Sequence, residues 1–216
     1  MKLIASRSVA ARKTSMTQAD RTAFSDAKMF EAAKQIIAEH GTHNTTLKEV
    51  GERAGYSRGL ASNRFGSKDR LFSQMVRDFN KRWAGELERI VGEKTGLQAI
   101  IAALNAVELF LVQYSDEMRA LYILWFESIK SHVEVRNRLA NNHAAYRGDL
   151  ERWVRQGIEQ GVIRPSIDPT CYAVEFNALI FGLVYQWLVQ PEAINVHLVF
   201  QHYRRSTLEL LAAKRE

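Results

Sequence analysis

The sequence predicts an all-α protein in which a small N-terminal helical unit precedes a larger helical domain. Only three prolines occur in 216 residues, and the first of them is Pro165. The first three quarters of the chain therefore contain no residue that interrupts a helix through a missing amide hydrogen. Apolar residues recur at intervals of three and four along most of the chain, whereas the alternating pattern typical of strands is not found.

Positive charge is concentrated in the first third of the chain. Residues 1–80 contain 14 lysines and arginines against 8 acidic residues, whereas residues 81–216 contain 16 of each. The excess therefore lies in one part of the chain, as binding of that part to a nucleic acid requires. A merely soluble basic surface is the alternative interpretation.

Other features of the composition narrow the class of protein. Cys171 is the only cysteine, which excludes an internal disulfide and a cysteine zinc site and is typical of a reducing cytoplasm. The longest strongly apolar stretch, residues 178–189, is shorter than the roughly 20 residues that a membrane span needs. The N-terminus has no apolar run of the kind found in signal peptides. We expect a soluble, cytoplasmic protein.

The N-terminal elements follow from polarity and capping signals. Residues 1–19 are polar and aperiodic, so we predict a flexible basic arm that either contacts a nucleic-acid backbone or is an inert tail. Residues 20–40 show helical apolar spacing, and Gly41 closes this first amphipathic helix. Thr46 and Glu49 then predict a capping box at the start of a short second helix.

A glycine turn separates the second helix from a short third helix. Gly55 can adopt the left-handed conformation that ends a helix, and Ser57 is expected to cap the next one. In that helix Ala61 and Phe65, four residues apart, point inward together. Two short helices around a glycine turn form a helix-turn-helix, which we place at residues 46–65.

The remaining chain is predicted to be helical as well. A long helix with a broad apolar stripe follows the helix-turn-helix, and Gly92 and Gly96 bracket the break after it. Five further helices are expected, roughly over residues 97–113, 116–130, 133–160, 169–189 and 195–213. We divide the chain into a helix-turn-helix domain at residues 20–80 and a larger helical domain at residues 81–216.

The stretch Thr45–Leu71, TTLKEVGERAGYSRGLASNRFGSKDRL, resembles the DNA-binding region of the TetR (tetracycline-repressor) family. The positions that match the family pattern are Thr46, Ala54, Gly55, Ser57, Gly59, Phe65, Ser67, Lys68 and Asp69. The resemblance implies a DNA-binding transcriptional regulator whose larger domain binds a small effector and dimerises through its last two helices. At the two positions where many family members have Leu-Tyr, this chain has Ala61 and Ser62. This departure from the pattern affects base reading.

The same resemblance implies which residues contact DNA. They are Thr46, Ser57, Arg58, Gly59, Leu60, Ser62, Asn63, Arg64 and Lys68. Arg58 can donate two hydrogen bonds to a guanine, and Leu60 can pack on a thymine methyl group. A phosphate contact that carries no sequence information is the alternative for Arg58. Lys68, like Thr46, Asn63 and Arg64, is expected to hold the DNA backbone, which positions the protein without specifying sequence.

Two apolar patterns in the larger domain suggest an effector site and an interface. Aromatic residues concentrate there, as they do in ligand pockets of helical proteins. The predicted ligand-binding residues are Tyr122, Trp125, Phe126, Trp153 and Phe181. A stripe on the helix at residues 169–189 predicts a homodimer interface, made by Tyr172, Phe176, Ile180, Leu183 and Trp187. Packing within the monomer's own core is the alternative for both sets.

The sequence therefore predicts a repressor that leaves a palindromic operator when a small, largely apolar ligand binds. We expect no enzymatic activity, cofactor or metal, because no catalytic motif is found and His40 and His43 have no third ligand nearby. One alternative is a small-molecule-binding protein or enzyme with a vestigial DNA-binding domain. A second alternative is an architectural protein that binds DNA without sequence preference.

Overall fold

The computed structural model describes residues 17–213, which form nine α-helices and one short 3-10 turn at Pro191–Ala193. The helices are α1 (Gln18–Asn44), α2 (Leu47–Arg53), α3 (Leu60–Phe65), α4 (Lys68–Val91), α5 (Gly96–Gln113), α6 (Ser115–Ser128), α7 (Val133–Glu159), α8 (Pro169–Val189) and α9 (Val196–Leu211). The predicted all-α class is confirmed. Most of the predicted basic arm, residues 1–16, lies outside the described residues.

The start of the helix-turn-helix differs in detail from the sequence prediction. Gly41, with φ of 74° and ψ of 172°, breaks α1 as predicted. The Thr46 hydroxyl accepts a hydrogen bond from the Glu49 amide at 3.2 Å, but the Glu49 carboxylate lies 3.5 Å from Arg53 and does not complete the predicted capping box. The predicted Ser57 cap was wrong, because α3 begins one residue after Gly59 and has no side-chain cap.

Helix α3 is held in place by two inward side chains. Ala61 is fully buried and Phe65 is 2% exposed, with the Phe65 ring 5.7 Å from the ring of Phe30 on α1. Burying a phenylalanine stabilises the fold by roughly 1.5–3 kcal/mol. Gly51 allows close contact between α2 and the turn, since a Cβ there would lie 3.0 Å from the Ser57 carbonyl oxygen.

Helix α4 belongs to both parts of the chain. Ser67 caps it through the Arg70 amide at 3.2 Å, and it continues without a break to Val91, so the predicted boundary at residue 80 falls inside it. Buried residues of α1 to α3, such as Ile36, share one core cluster with residues of α5 and α6, such as Leu124. The N-terminal unit is therefore packed directly against the larger domain.

Two helices of the larger domain, α5 and α8, are long and apolar enough to cross a membrane by length and composition. The strongly apolar stretch at residues 178–189 is the C-terminal part of α8. The apolar window of α5 is 56% buried and that of α8 is 33% buried. Core helices pass the same test of length and composition, so this is weak evidence for a membrane span.

Candidate nucleic-acid interface and ligand cavity

The outer face of the helix-turn-helix is polar and exposed. Ser57, Arg58, Gly59, Ser62 and Asn63 are all exposed, on the side opposite the two buried anchors of α3. Small residues at this surface let the helix approach a nucleic-acid groove closely. None of the five residues has an apolar side chain that would need to be buried against another surface. The structure thus brings five of the nine predicted DNA contacts onto one surface, which we call the recognition surface. Leu60 is only half-buried and packs against the core.

Two arginines near this surface differ in the exposure of their side chains and in their ion-pair partners. The Arg58 side chain is 73% exposed and forms an ion pair with Glu52, which is itself 41% exposed. An exposed pair contributes little stability, so Arg58 can exchange this partner for DNA. Arg64 lies 3.0 Å from Asp26 and its side chain is only 33% exposed. Burial raises the pKa of Asp26, although the Arg64 charge opposes this shift.

Lys68 and Lys48 differ in the partners that the structure gives their amino groups. The Lys68 amino group donates to the carbonyl oxygens of Thr42 at 3.0 Å and His43 at 3.1 Å. It therefore caps the C-terminal end of α1, and this favours a structural role over the predicted phosphate contact. Lys48, which the sequence analysis missed, is exposed on α2 and has no ion pair within residues 17–213. Its position in the first turn of α2, before the glycine turn, was the available signal.

A partly buried polar cluster joins the N-terminal unit to the larger domain. The amide of Thr42 donates to the Glu127 carboxylate at 3.1 Å, and the Thr42 hydroxyl contacts the same carboxylate. His132 Nε2 lies 3.0 Å from the Thr42 hydroxyl, and His132 Nδ1 lies 2.6 Å from the Asp69 carboxylate. We call Thr42, Asp69, Glu127 and His132 the junction cluster. It connects α1, the start of α4 and the end of α6.

Strain and a second ion-pair network mark the same junction. His132 has a positive φ of 57°, the only such non-glycine residue among those described, and this conformation costs about 1–3 kcal/mol. Glu117 on α6 accepts two hydrogen bonds from Arg82 on α4, at 2.6 and 2.8 Å, and lies 3.4 Å from Lys34 on α1. Burial raises the pKa of Glu117, but its hydrogen bond to Arg82 and the two positive charges outweigh burial and lower it.

A cavity of about 100 Å³ lies between α4, α5, α6, α7 and α8. Four of the five predicted ligand-binding residues line it, namely Tyr122, Trp125, Trp153 and Phe181. The fifth, Phe126, does not, because it lies on the outer face of α6, is 55% exposed and packs on Tyr185. The aromatic lining residues are Phe79, Trp83, Phe110, Tyr122, Trp125, Tyr146, Trp153, Phe176 and Phe181.

Few polar groups reach the cavity. The indole Nε1 of Trp125 is buried and has no hydrogen-bond partner among the described residues. The Tyr122 hydroxyl donates to the Phe181 carbonyl oxygen at 3.3 Å, and burial raises the Tyr122 pKa. Asp149 and Asn177 also line the cavity. An apolar cavity with a few polar groups is the usual form of a small-molecule site.

The predicted interface stripe on α8 faces the monomer's own core. Tyr172 and Leu183 are 6% and 5% exposed, Phe176 and Ile180 line the cavity, and Trp187 is half-buried. This placement moves the candidate interface to the opposite faces of α8 and α9. The exposed apolar residues there are Val174, Leu179, Tyr185, Val189, Leu198, Leu208 and Leu210.

No group of three or more potential metal ligands occurs within the described part of the chain.

Comparison with known proteins gives matches over both parts of the chain. Residues 30–75 match the profile of the bacterial regulatory proteins of the tetR family, and residues 97–212 match that of the C-terminal region of BetI-type transcriptional repressors. The chain is 23% identical over 194 residues to the HTH-type transcriptional repressor KstR2 of Rhodococcus jostii, which covers 86% of this chain and 90% of that protein.

Two solved structures with bound small molecules are similar in fold. A transcriptional regulator from Saccharomonospora viridis in complex with choline has a TM-score of 0.74 at 20% identity and covers 89% of this chain and 100% of its own. The SmeT–triclosan complex, from Stenotrophomonas maltophilia, has a TM-score of 0.73 at 20% identity and covers 88% of this chain and 93% of its own. At this identity the likeness shows a shared fold.

Proposed function

The chain belongs to the tetR family of bacterial transcriptional regulators, and on this premise we propose that it is a homodimeric repressor, acting in the cytoplasm, that a small molecule releases from a palindromic operator. The recognition surface provides the operator contacts and the aromatic cavity provides the effector site. Bound choline and triclosan in two proteins of the same fold support a small-molecule ligand, and the mostly apolar cavity lining supports a largely apolar one.

The observation that carries this proposal is that α4 and α6 each connect the two sites. Helix α4 begins beside α3 and places Phe79 and Trp83 in the cavity. Helix α6 places Tyr122 and Trp125 in the cavity and Glu127 in the junction cluster. A ligand that pushes the cavity side chains apart must therefore displace helices that hold the N-terminal unit. Such coupling between two sites is reciprocal, so ligand and operator weaken each other's binding by the same factor.

Base reading is assigned to the exposed part of the recognition surface. Arg58 is the candidate for direct contact with a guanine, because its guanidinium is exposed and held only by Glu52. Ser62 and Asn63 provide short polar groups beside it, and Lys48 provides a phosphate contact. Arg64 is assigned a supporting role through Asp26. Ser62 has a short side chain in place of an aromatic residue. It can contact DNA only if the helix approaches closely.

The dimer is assigned to the exposed faces of α8 and α9. Val174, Tyr185 and Val189 on α8 are each at least 50% exposed, as is Leu198 on α9. Monomeric proteins rarely leave so many apolar side chains of neighbouring helices in water. Two helices from each chain can form a four-helix bundle around a two-fold axis, which presents two recognition surfaces to a palindromic site.

The decisive experiment is selection of bound duplexes from a random library, followed by footprinting at physiological salt. We expect a palindromic sequence with two half-sites that the dimer occupies together. Arg155→Ala serves as the control for loss of positive charge, since Arg155 is exposed on α7, away from the recognition surface. Binding without any preferred sequence contradicts the proposal and supports an architectural DNA-binding protein instead.

A further inference from the structure

The ion pair between Glu52 and Arg58 lies at the edge of the recognition surface. Glu52 is on α2 and Arg58 follows the glycine turn, and the Glu52 carboxylate accepts a hydrogen bond from the Arg58 Nε. Within residues 17–213, neither side chain forms an ion pair with any other residue. Since an exposed pair contributes little to the stability of the fold, the effect of this carboxylate is to be sought in what Arg58 does.

The backbone that separates the two residues is held against α2. The Gly55 amide donates to the Glu52 carbonyl oxygen at 3.0 Å, which closes the turn directly after α2. A Cβ on Gly51 would lie 3.0 Å from the Ser57 carbonyl oxygen, so the residue before Arg58 also packs closely on this helix. The turn therefore sets the position of the carboxylate relative to Arg58 before any DNA binds.

The carboxylate occupies only one edge of the Arg58 guanidinium. The hydrogen bond uses Nε, and among the described residues Nη1 and Nη2 have no hydrogen-bond partner. A guanidinium has five N–H donors in a planar, rigid arrangement, and recognition of a guanine uses two hydrogen bonds, to O6 and N7. The two terminal nitrogens can therefore contact a guanine while Nε stays bound to Glu52.

We propose that Glu52 is a positioning residue for base reading, which orients the Arg58 guanidinium so that Nη1 and Nη2 meet a guanine of the operator. The inference rests on the proposed function, because it assumes that Arg58 reads a base. A long side chain that is oriented in advance loses less rotamer freedom when it binds. The carboxylate also offsets the charge that attracts Arg58 to phosphates. Duplexes without this guanine therefore gain less from Arg58.

Three substitutions in the full chain separate orientation from charge. Glu52→Asp keeps the negative charge and withdraws the carboxylate by one methylene group, whereas Glu52→Gln removes the charge and keeps the length of the side chain. Glu49→Gln is the matched control, because Glu49 lies on the same helix and is 3.5 Å from Arg53. Circular dichroism of each variant establishes that the helical fold is retained.

Binding is measured by fluorescence anisotropy with three labelled duplexes at physiological salt. They are the sequence selected from the random library, the same sequence with the guanine read by Arg58 replaced by adenine, and a random duplex. The guanine is identified as the one for which Arg58→Ala loses its preference. If no position loses its preference in Arg58→Ala, the proposal is overturned.

We expect both Glu52 variants to lower the preference for this guanine by about 5-fold or more, the lower end of what a bidentate contact contributes. Glu52→Gln should also tighten binding to the random duplex by about 2–5-fold, because an exposed ion pair is lost. Glu49→Gln should change the affinity for all three duplexes by one common factor and leave the preference as it is. Unchanged preference in the Glu52 variants, or an equal loss in Glu49→Gln, overturns the proposal.

The same substitution in an Arg58→Ala background separates positioning from direct contact. If Glu52 acts through Arg58, Glu52→Asp should not alter the preference at any base pair in that background. A further change in preference there means that Glu52 contacts a base itself, and this result overturns the positioning role. A wild-type protein without any preferred sequence contradicts the proposed function, and the inference fails with it. A wild-type preference that the Glu52 variants retain overturns the inference alone.

Discussion

Replacing Thr42 with valine should break the tie between the N-terminal unit and the larger domain while preserving side-chain shape. Thr42 is 2% exposed, and its hydroxyl contacts both Glu127 and His132. Loss of a hydrogen bond to a charged group costs about 1.5–3 kcal/mol, and a buried polar group left without a partner adds to this. We expect Thr42→Val to lower the free energy of unfolding by about 2–4 kcal/mol.

Thr45→Val is the matched control. Thr45 is 1% exposed, and its hydroxyl donates to the Gly41 carbonyl oxygen at 2.9 Å within the N-terminal unit. This neutral bond is worth only about 1 kcal/mol. Urea denaturation at fixed protein concentration measures both variants, because the stability of a dimer depends on concentration. Equal destabilisation by the two substitutions would show that the junction contacts contribute nothing beyond an ordinary hydrogen bond.

A double-mutant cycle isolates the interaction across the junction. Glu127→Gln removes the charge of the partner carboxylate and keeps its size. If Thr42 and Glu127 interact as the distances indicate, Thr42→Val and Glu127→Gln together should cost less than their sum, by about 0.5–3 kcal/mol. Additive effects would refute the reasoning. Operator affinity should also change in both single variants and remain at the wild-type level in Thr45→Val, because only the first two loosen the N-terminal unit.

The remaining predictions concern the recognition surface, the dimer and acid stability. Arg58→Ala should cost about 1–3 kcal/mol of binding free energy at one base pair. Lys48→Ala should weaken binding to all duplexes and flatten the slope of log affinity against log salt concentration by about 0.9. Equal losses for Arg58→Ala on specific and random DNA exclude base reading by Arg58. Light scattering should show monomers for Tyr185→Asp. The control Ile129→Asp, at an exposed position where α6 ends, should remain a dimer. The pKa of His143 is lowered, so its side chain binds a proton less readily in the folded protein than in the unfolded chain. The free energy of unfolding should therefore fall as pH drops below about 6.5. In urea denaturation at pH 7 and pH 5, His143→Phe should show a smaller loss.

The local elements of the fold could be predicted from the sequence, because helix ends depend on short-range contacts. The helix start at Thr46 is confirmed, and Gly41 interrupts the helical geometry as predicted, although α1 continues to Asn44. Whether Ser57 caps α3 could not be predicted from the sequence, since the path of the chain into α3 depends on the close packing of Gly51 against the Ser57 carbonyl oxygen. This contact depends in turn on how α2 lies across the turn.

The assignment of side chains to a core, a cavity or an outer surface required the tertiary structure. Apolar spacing identifies the stripe with Tyr172 and Leu183 but does not reveal which neighbour covers it, and in this chain the neighbour is the monomer's own core. In the same way, aromatic composition could not separate Phe126, on the outside of α6, from Trp125, which lines the cavity.

The amino-acid sequence by itself determined the helical class, the helix-turn-helix and the family, because these depend on residues close together in the chain. The tertiary structure alone decided that Lys68 caps α1, that α4 and α6 connect the cavity to the N-terminal unit, and that Thr42 meets Glu127 and His132. Thr42 and Glu127 are 85 positions apart. Contacts at such separations depend on the packing angles of whole helices, which local periodicity does not specify.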